Sequence, residues 1–296
     1  MGKIKSYAKL ARPHQYVKNG FIFLPLFFGH KLYLFGAAWN TCLAFISFSM
    51  AASCVYIFND IRDIDSDRNH PVKKYRPLAD GQIKKTEALV FLGVLLVFAV
   101  LISAVFLDTL FLSVLITYLL LNVLYSLGMK HISLIDITFI SVGFVLRVFA
   151  GAVAADVQIS QWIILMTFLL ALFLSLSKRR DDVLLCEHGV NSRKSIDGYT
   201  LEFISTGMVT MAAVTIVCYI LYTVSPEVAS RHNSKNLYLT SFWVILGVLR
   251  YMQITFVEEK TGSPTQVLLK DFFLQAVIVL WLTTFFIIFY VRNSDI

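Results

Sequence analysis

The chain has 296 residues, 57% of them hydrophobic and 15% charged, with a mean hydropathy of +0.72. A soluble domain of this size is rarely so apolar, and the apolar residues fall in long blocks, as in polytopic membrane proteins. The formal charge of +7 therefore reads as membrane topology and not as a nucleic-acid footprint. The N-terminal arm carries Lys3, Lys5, Lys9, Arg12 and Lys18. No short apolar core followed by a small-residue cleavage site stands there, so no cleavable signal is expected. Residues Ile4–Tyr16 are predicted to lie along the membrane surface as a basic amphipathic helix, within an interfacial arm of residues 1–18.

Nine apolar blocks follow, at about 20–37, 39–58, 87–107, 109–127, 132–154, 160–177, 201–224, 238–257 and 271–291. Most reach the roughly 20 residues that a helix needs to cross a bilayer. The expected fold is all-α, a single intramembrane domain over residues 1–296 with nine transmembrane helices. Twenty of the 26 Lys and Arg residues fall in the N-terminal arm and in connections 59–86, 128–131, 178–200 and 258–270, against four on the opposite side. The bias puts the N-terminus and these loops in the cytoplasm and the C-terminus outside, in a cell (inner) membrane protein. All the chemistry-bearing motifs then lie on one side, which disfavours a transporter with a midplane site. Cys42, Cys54, Cys186 and Cys218 have neither disulfide nor metal-ligand spacing.

The second block ends in Asn59-Asp60-Ile61-Arg62-Asp63-Ile64-Asp65-Ser66-Asp67-Arg68-Asn69-His70. Four aspartates at the mouth of a membrane helix are costly and are normally kept for function. On one helix Asp60, Asp63 and Asp67 share a face. Three converging carboxylates repel unless a cation sits between them, and Mg²⁺ suits such oxygen donors while leaving room for substrate phosphates. The alternative is a solvated charged loop. Pro71, Pro77 and Gly81 then constrain a loop bearing Lys73 and Arg76, an arrangement suited to a diphosphate.

Asn59-Asp60-x-x-Asp63-x-x-x-Asp67-x-x-His70-Pro71-x-Lys73-x-x-Arg76-Pro77 resembles the first signature of the UbiA-type intramembrane prenyltransferase superfamily. The resemblance implies a helical bundle with a central cavity beneath a cytoplasmic cap. It also implies a prenyl diphosphate bound through Mg²⁺ by two aspartate-rich loops. Where the second such loop belongs, the chain reads Lys178-Arg179-Arg180-Asp181-Asp182. Three cations before two acids suit phosphate groups held directly, so the substrates should carry more negative charge than a prenyl diphosphate with a neutral acceptor.

That pattern resembles the decaprenyl-phosphate phosphoribosyltransferase branch. Arg12-Pro13-His14-Gln15-Tyr16-Val17-Lys18-Asn19 is similar to its N-terminal signature, and Lys178-Arg179-x-x-Asp182 to its Lys-Arg-x-x-Glu motif, with Asp for Glu. The stretches 143–151 and 263–271 are similar to the same branch. The resemblance implies Mg²⁺-dependent transfer of phosphoribosyl from phosphoribosyl diphosphate to a polyprenyl phosphate. Asp60, Asp63 and Asp67 would hold the metal. Asn59, Lys73, Arg76, Lys18, Asn19, Arg147, Lys178, Arg179, Arg180 and Asp182 would line the substrates. Tyr125 and Lys130, at the end of the fourth block beside Asn122 and Ser126, are implied substrate contacts. Asp136 reads as a helix cap or a partner of Lys130, and Arg250 as half of a structural ion pair. Two other readings are prenyl transfer to an aromatic or quinone precursor and non-enzymatic lipid-phosphate binding or transport. Oligomeric state is open.

Overall fold

The computed structural model describes residues 2–69, 72–187, 194–259 and 263–291. Among them there is no strand, and eight helices are long and apolar enough to cross a membrane. The chain divides into two compact units, Met1–Lys130 with Gly143–Ile159, and His131–Val142 with Ser160–Ile296.

The first unit holds α1 (Lys3–Ala11), a 3₁₀ segment (Pro13–Phe23), α2 (Leu24–Phe28), α3 (Phe35–Arg62), α4 (Ile64–Arg68), α5 (Lys85–Phe106), α6 (Thr109–Leu127) and most of α7 (Ile135–Ala154). Block 20–37 is therefore not a membrane-length helix. Within it His30 adopts a left-handed φ of 57° and Pro25 lacks a backbone donor, while Arg12 (φ 56°) and Pro13 turn the chain just before it. The segment that follows α1 packs on α3 and runs antiparallel to it. Ser53 Oγ donates to Ala11 O (2.8 Å), Asn19 Nδ2 donates to Ser49 Oγ (2.9 Å), and the Phe23 ring packs on Phe45. A 3₁₀ segment rises about 2 Å per residue, so few residues cover that length. Gly151 of α7 makes this path possible, because a Cβ there would lie 1.9 Å from Ile22 O.

Helices α3 and α5 approach closely through small residues: Ser47 Oγ bonds to Ala99 O (2.9 Å) and Ser103 Oγ (2.8 Å). The end of α3 that carries the aspartates is roofed by α1 and the 72–84 loop. Leu10, Ile57, Leu78, Ile83 and Ala88 pack together there, and Lys3 pairs with Glu87 (2.9 Å).

The second unit holds the first turns of α7 with α8 (Gln161–Glu187), α9 (Leu201–Val224), α10 (Pro226–Arg231), α11 (Ser241–Phe256), α12 (Pro264–Lys270) and α13 (Phe272–Phe286). Its core joins Phe173, Leu176, Ile204, Met208, Tyr251, Val267 and Leu274. Thr200 and Asp271 cap α9 and α13 by accepting from Phe203 N and Leu274 N. Arg250 is a structural cation, as expected: it contacts Asp271 at 2.6 Å and Glu258 at 2.8 Å.

Candidate active site

Helix α3 stops at Arg62, and Asp63 sits at a bend (φ −97°, ψ 9°) before α4. The aspartates therefore straddle a break rather than line one helical face. Asp60 and Asp67 are buried, at 2% and 4% exposure. Both converge on one guanidinium nitrogen: Arg76 Nη1 lies 3.0 Å from Asp60 Oδ1 and 2.6 Å from Asp67 Oδ2. Arg12 Nη2 adds a second contact to Asp60 Oδ1 at 2.5 Å, with its guanidinium 5.2 Å from the centre of the Tyr56 ring. Asp63 turns elsewhere and takes Lys130 Nζ at 2.7 Å. Two carboxylates converge, not three, because the bend rotates Asp63 out of register. Among the described residues no group of three His, Cys, Asp or Glu is arranged to hold a metal ion.

Asn59 is positioned from α6, its Oδ1 accepting from Ser126 Oγ at 2.5 Å. Lys73 is half-buried on a short 3₁₀ turn, Lys73–Tyr75, and Arg76 follows it. Gly81, at φ +73°, lets the loop fold back so that Ile83 N reaches Pro77 O (3.2 Å). His70 and Pro71 of the signature lie outside the described residues.

Eleven residues deeper along α3, about 16 Å at the helical rise, lies a second charged place. Arg147 is 5% exposed. Its Nε donates to Asn19 Oδ1 (2.8 Å), Nη1 to Gly143 O (2.7 Å) and Nη2 to Tyr118 OH (3.1 Å). The rings of Phe48, Tyr118 and Phe144 pack within 5.3 Å of its guanidinium carbon. Every partner is neutral. Lys18 makes no hydrogen bond or ion pair among the described residues. Burial, then repulsion from Arg147 and Arg12, pushes its ammonium down to about 8. Two cations with no carboxylate paired to them among the described residues suit an anion.

In the second unit the Lys178–Asp182 run continues the last turns of α8. Arg179 and Asp136 are both fully buried, with Arg179 Nε 2.6 Å from Asp136 Oδ2. Arg179 Nη1 also contacts Asp182. Tyr199 OH donates to Asp136 Oδ1 at 2.7 Å, and the same hydroxyl accepts from Leu134 N (2.7 Å). Asp136 does take a capping bond from Ile137 N (2.8 Å), but its cation is Arg179 and not Lys130. Arg179, expected at the substrate together with Asp182, is held by Asp136 and Asp182 and presents no surface to a phosphate. Arg180 donates to Thr255 O (2.9 Å) and lies over the Phe256 ring. Lys178 and Tyr125 are half-buried.

Three site residues were not singled out from the sequence alone. Arg12 had a signal in its Arg-Pro signature. Tyr118 had one as well, four residues before Asn122 on the same helical face. Tyr16, whose hydroxyl meets Ser53 Oγ at 2.7 Å, had none.

A profile described as the UbiA prenyltransferase family matches residues 22–277. The chain belongs to the UbiA prenyltransferase family. This UbiA-family transferase is an integral membrane protein with the helical fold of its relatives. It is 31% identical to the decaprenyl-phosphate phosphoribosyltransferase of Mycolicibacterium smegmatis over 95% of this chain and 91% of that one. It is 30% identical to the protein of that name from Corynebacterium glutamicum, over 92% and 83%. A UbiA homolog from Archaeoglobus fulgidus, solved bound to GPP and Mg²⁺, superposes with a TM-score of 0.73 over 96% of this chain and 99% of that one, at 18% identity.

The acidic end of this family member fits a divalent ion of the hard kind. Its donors are carboxylate oxygens, two of them already converge on one positive nitrogen, and Mg²⁺ needs only one or two carboxylates when phosphates complete its shell.

Proposed function

We propose that this protein transfers 5-phosphoribosyl from phosphoribosyl diphosphate to a polyprenyl phosphate, releasing pyrophosphate. One observation carries the reading. Lys18 and Arg147 are two buried cations with no carboxylate paired to them among the described residues, deeper along α3 than Asp60. A prenyl diphosphate with a neutral acceptor needs one anion site. A phosphorylated sugar diphosphate with a lipid phosphate needs more. The names of the relatives at about 30% identity support the same choice.

In this reading Asp60 and Asp67 hold Mg²⁺, which when bound would offset the charge building on the leaving pyrophosphate. Arg76 and Lys73 bind the diphosphate from the loop side, and Asn59, fixed by Ser126, lines the same end. Lys130 holds Asp63, keeping the bend between α3 and α4 in place. Lys18 and Arg147 bind a further phosphate, with Asn19 and Tyr118 orienting the guanidinium. Lys178, Arg180 and Tyr125 are further substrate contacts. Arg179 and Asp182 act as positioning residues for the end of α8. The lipid phosphate oxygen attacks the anomeric carbon as its bond to the diphosphate oxygen breaks. The nucleophile is already ionised at neutral pH, so no general base is required.

The positive-inside bias supports a cytoplasmic site in the cell membrane. The docking of α1 over the acidic end, through Lys3–Glu87 and Lys9 Nζ to Tyr75 O (2.7 Å), places the N-terminal arm at that same end. The test is to supply labelled phosphoribosyl diphosphate, Mg²⁺ and a polyprenyl phosphate to the detergent-purified protein. Transfer of label to lipid, lost in Asp60→Asn, is expected. A folded protein that leaves the lipid unlabelled, yet consumes a prenyl diphosphate offered in competition, rejects the reading in favour of prenyl transfer.

A further inference from the structure

The position where a divalent ion would join Asp60 and Asp67 is held by a side chain of the protein itself. Arg76 Nη1 is the shared point of the two carboxylates, at 3.0 and 2.6 Å. The other charges nearby are arranged differently. Asp60 keeps a second cation in Arg12, and Asp63 is balanced by Lys130. For Asp67, Arg76 is the one cation paired with it among the described residues.

The backbone around Arg76 is pinned. Its N–H donates to Lys73 O (2.9 Å), its carbonyl accepts from Asp80 N (2.8 Å), and Pro77 follows. Its side chain is 28% exposed, against 1% for Arg179. The guanidinium can therefore turn outward by side-chain rotation while the loop stays in place.

A guanidinium and a metal ion cannot both occupy the point between two carboxylates. Nor is there a reason for Arg76 to leave while it is their counterion, since vacating it would strand a buried carboxylate. A diphosphate supplies that reason. It offers the guanidinium a bidentate acceptor just outside the carboxylates, and it brings oxygen donors for the metal.

We propose that Arg76 is an internal placeholder for the divalent ion, transferred from Asp60 and Asp67 to the incoming diphosphate, so that metal and diphosphate are taken up together and not metal first. This rests on reading the acidic end as a metal–diphosphate site. It holds whichever group the diphosphate carries.

The test measures binding alone, with the full chain in detergent and no sugar donor or lipid present. Binding of Mn²⁺ is followed by loss of the free-ion EPR signal, and retention of labelled pyrophosphate by equilibrium dialysis. Arg76→Gln is expected to bind Mn²⁺ alone roughly tenfold more tightly than the wild type, because the competitor for the carboxylates is gone. The same variant is expected to lose roughly tenfold in pyrophosphate retention at saturating Mn²⁺. Arg76→Lys, which keeps a cation there, should bind Mn²⁺ alone as weakly as the wild type. Equal or weaker Mn²⁺ affinity in Arg76→Gln overturns the proposal. So does a wild-type protein whose pyrophosphate affinity is the same with and without Mn²⁺, a result that needs no variant and follows from the reciprocity of coupled binding. If these binding results appear but no phosphoribosyl transfer is found, the placeholder stands and the choice of substrate falls.

Discussion

Lys18 should cost the empty protein stability, and removing its charge should show it. The ammonium has no partner among the described residues, and burial with Arg147 and Arg12 holds it near 8 rather than at its ordinary 10.5. At 1.36 kcal/mol per pKa unit, and discounted for partial exposure, keeping it protonated in the fold costs about 2 kcal/mol at neutral pH. Because the folded value lies below the unfolded one, the penalty is complete below pH 8. It fades as pH rises from about 8 toward 10.5, where the unfolded chain holds the proton more tightly. Lys18→Met should therefore raise the midpoint of thermal unfolding in detergent at pH 7 by a few degrees. The variant should also raise KM for a phosphorylated substrate roughly tenfold or more, the worth of a charged hydrogen bond. In the wild type, KM should climb above pH 8 while the ligand-free protein becomes more stable. A Lys18→Met protein that melts earlier than the wild type, or that keeps its KM, refutes the argument that this lysine is stored unpaired for an anion.

Gly151→Ala places a methyl 1.9 Å from Ile22 O, and neither backbone can give way, so the variant should lose well over 2 kcal/mol or fail to fold, seen as loss of a monodisperse species in detergent. Asp136→Asn and Arg179→Met should each cost about 3 kcal/mol, and the double variant clearly less than their sum, because each single change strands a buried charge; strictly additive unfolding free energies would contradict the buried pair. Arg250→Gln, remote in role and partly exposed, should shift stability by about 1 kcal/mol at most and leave kcat/KM unchanged.

Seven of the nine apolar blocks correspond closely to single long helices, such as 109–127 with α6, because lipid demands runs of apolar residues and internally satisfied backbone. Block 160–177 is shorter than its helix: α8 continues to Glu187, since its charged last turns are helical but not apolar. Block 20–37 failed for the opposite reason. Hydropathy does not register that Pro25 and the left-handed His30 interrupt a continuous helix there. At the site, the residue types and the acidic motif were legible, but which charge meets which was not. Arg76 reaching both Asp60 and Asp67, Lys130 choosing Asp63, and Arg179 sinking onto Asp136 are contacts across 9 to 67 residues of sequence. Only tertiary packing brings those partners together, and it buries Arg179 against Asp136.

The serine-rich flank of α3 bears on how this chain is made. Ser47 is served by Ala99 O and Ser103, both on α5, and α3 also carries Ser49, Ser53 and Asp60 among its buried residues. Helix α5 is the reverse, with Leu89, Val90, Val94, Val97, Phe98 and Leu101 outward and suited to acyl chains. During translation α3, the less apolar of the two, precedes the neighbour that satisfies its serines. A chain truncated before residue 85 should therefore integrate into the bilayer less completely than one that continues past Phe106.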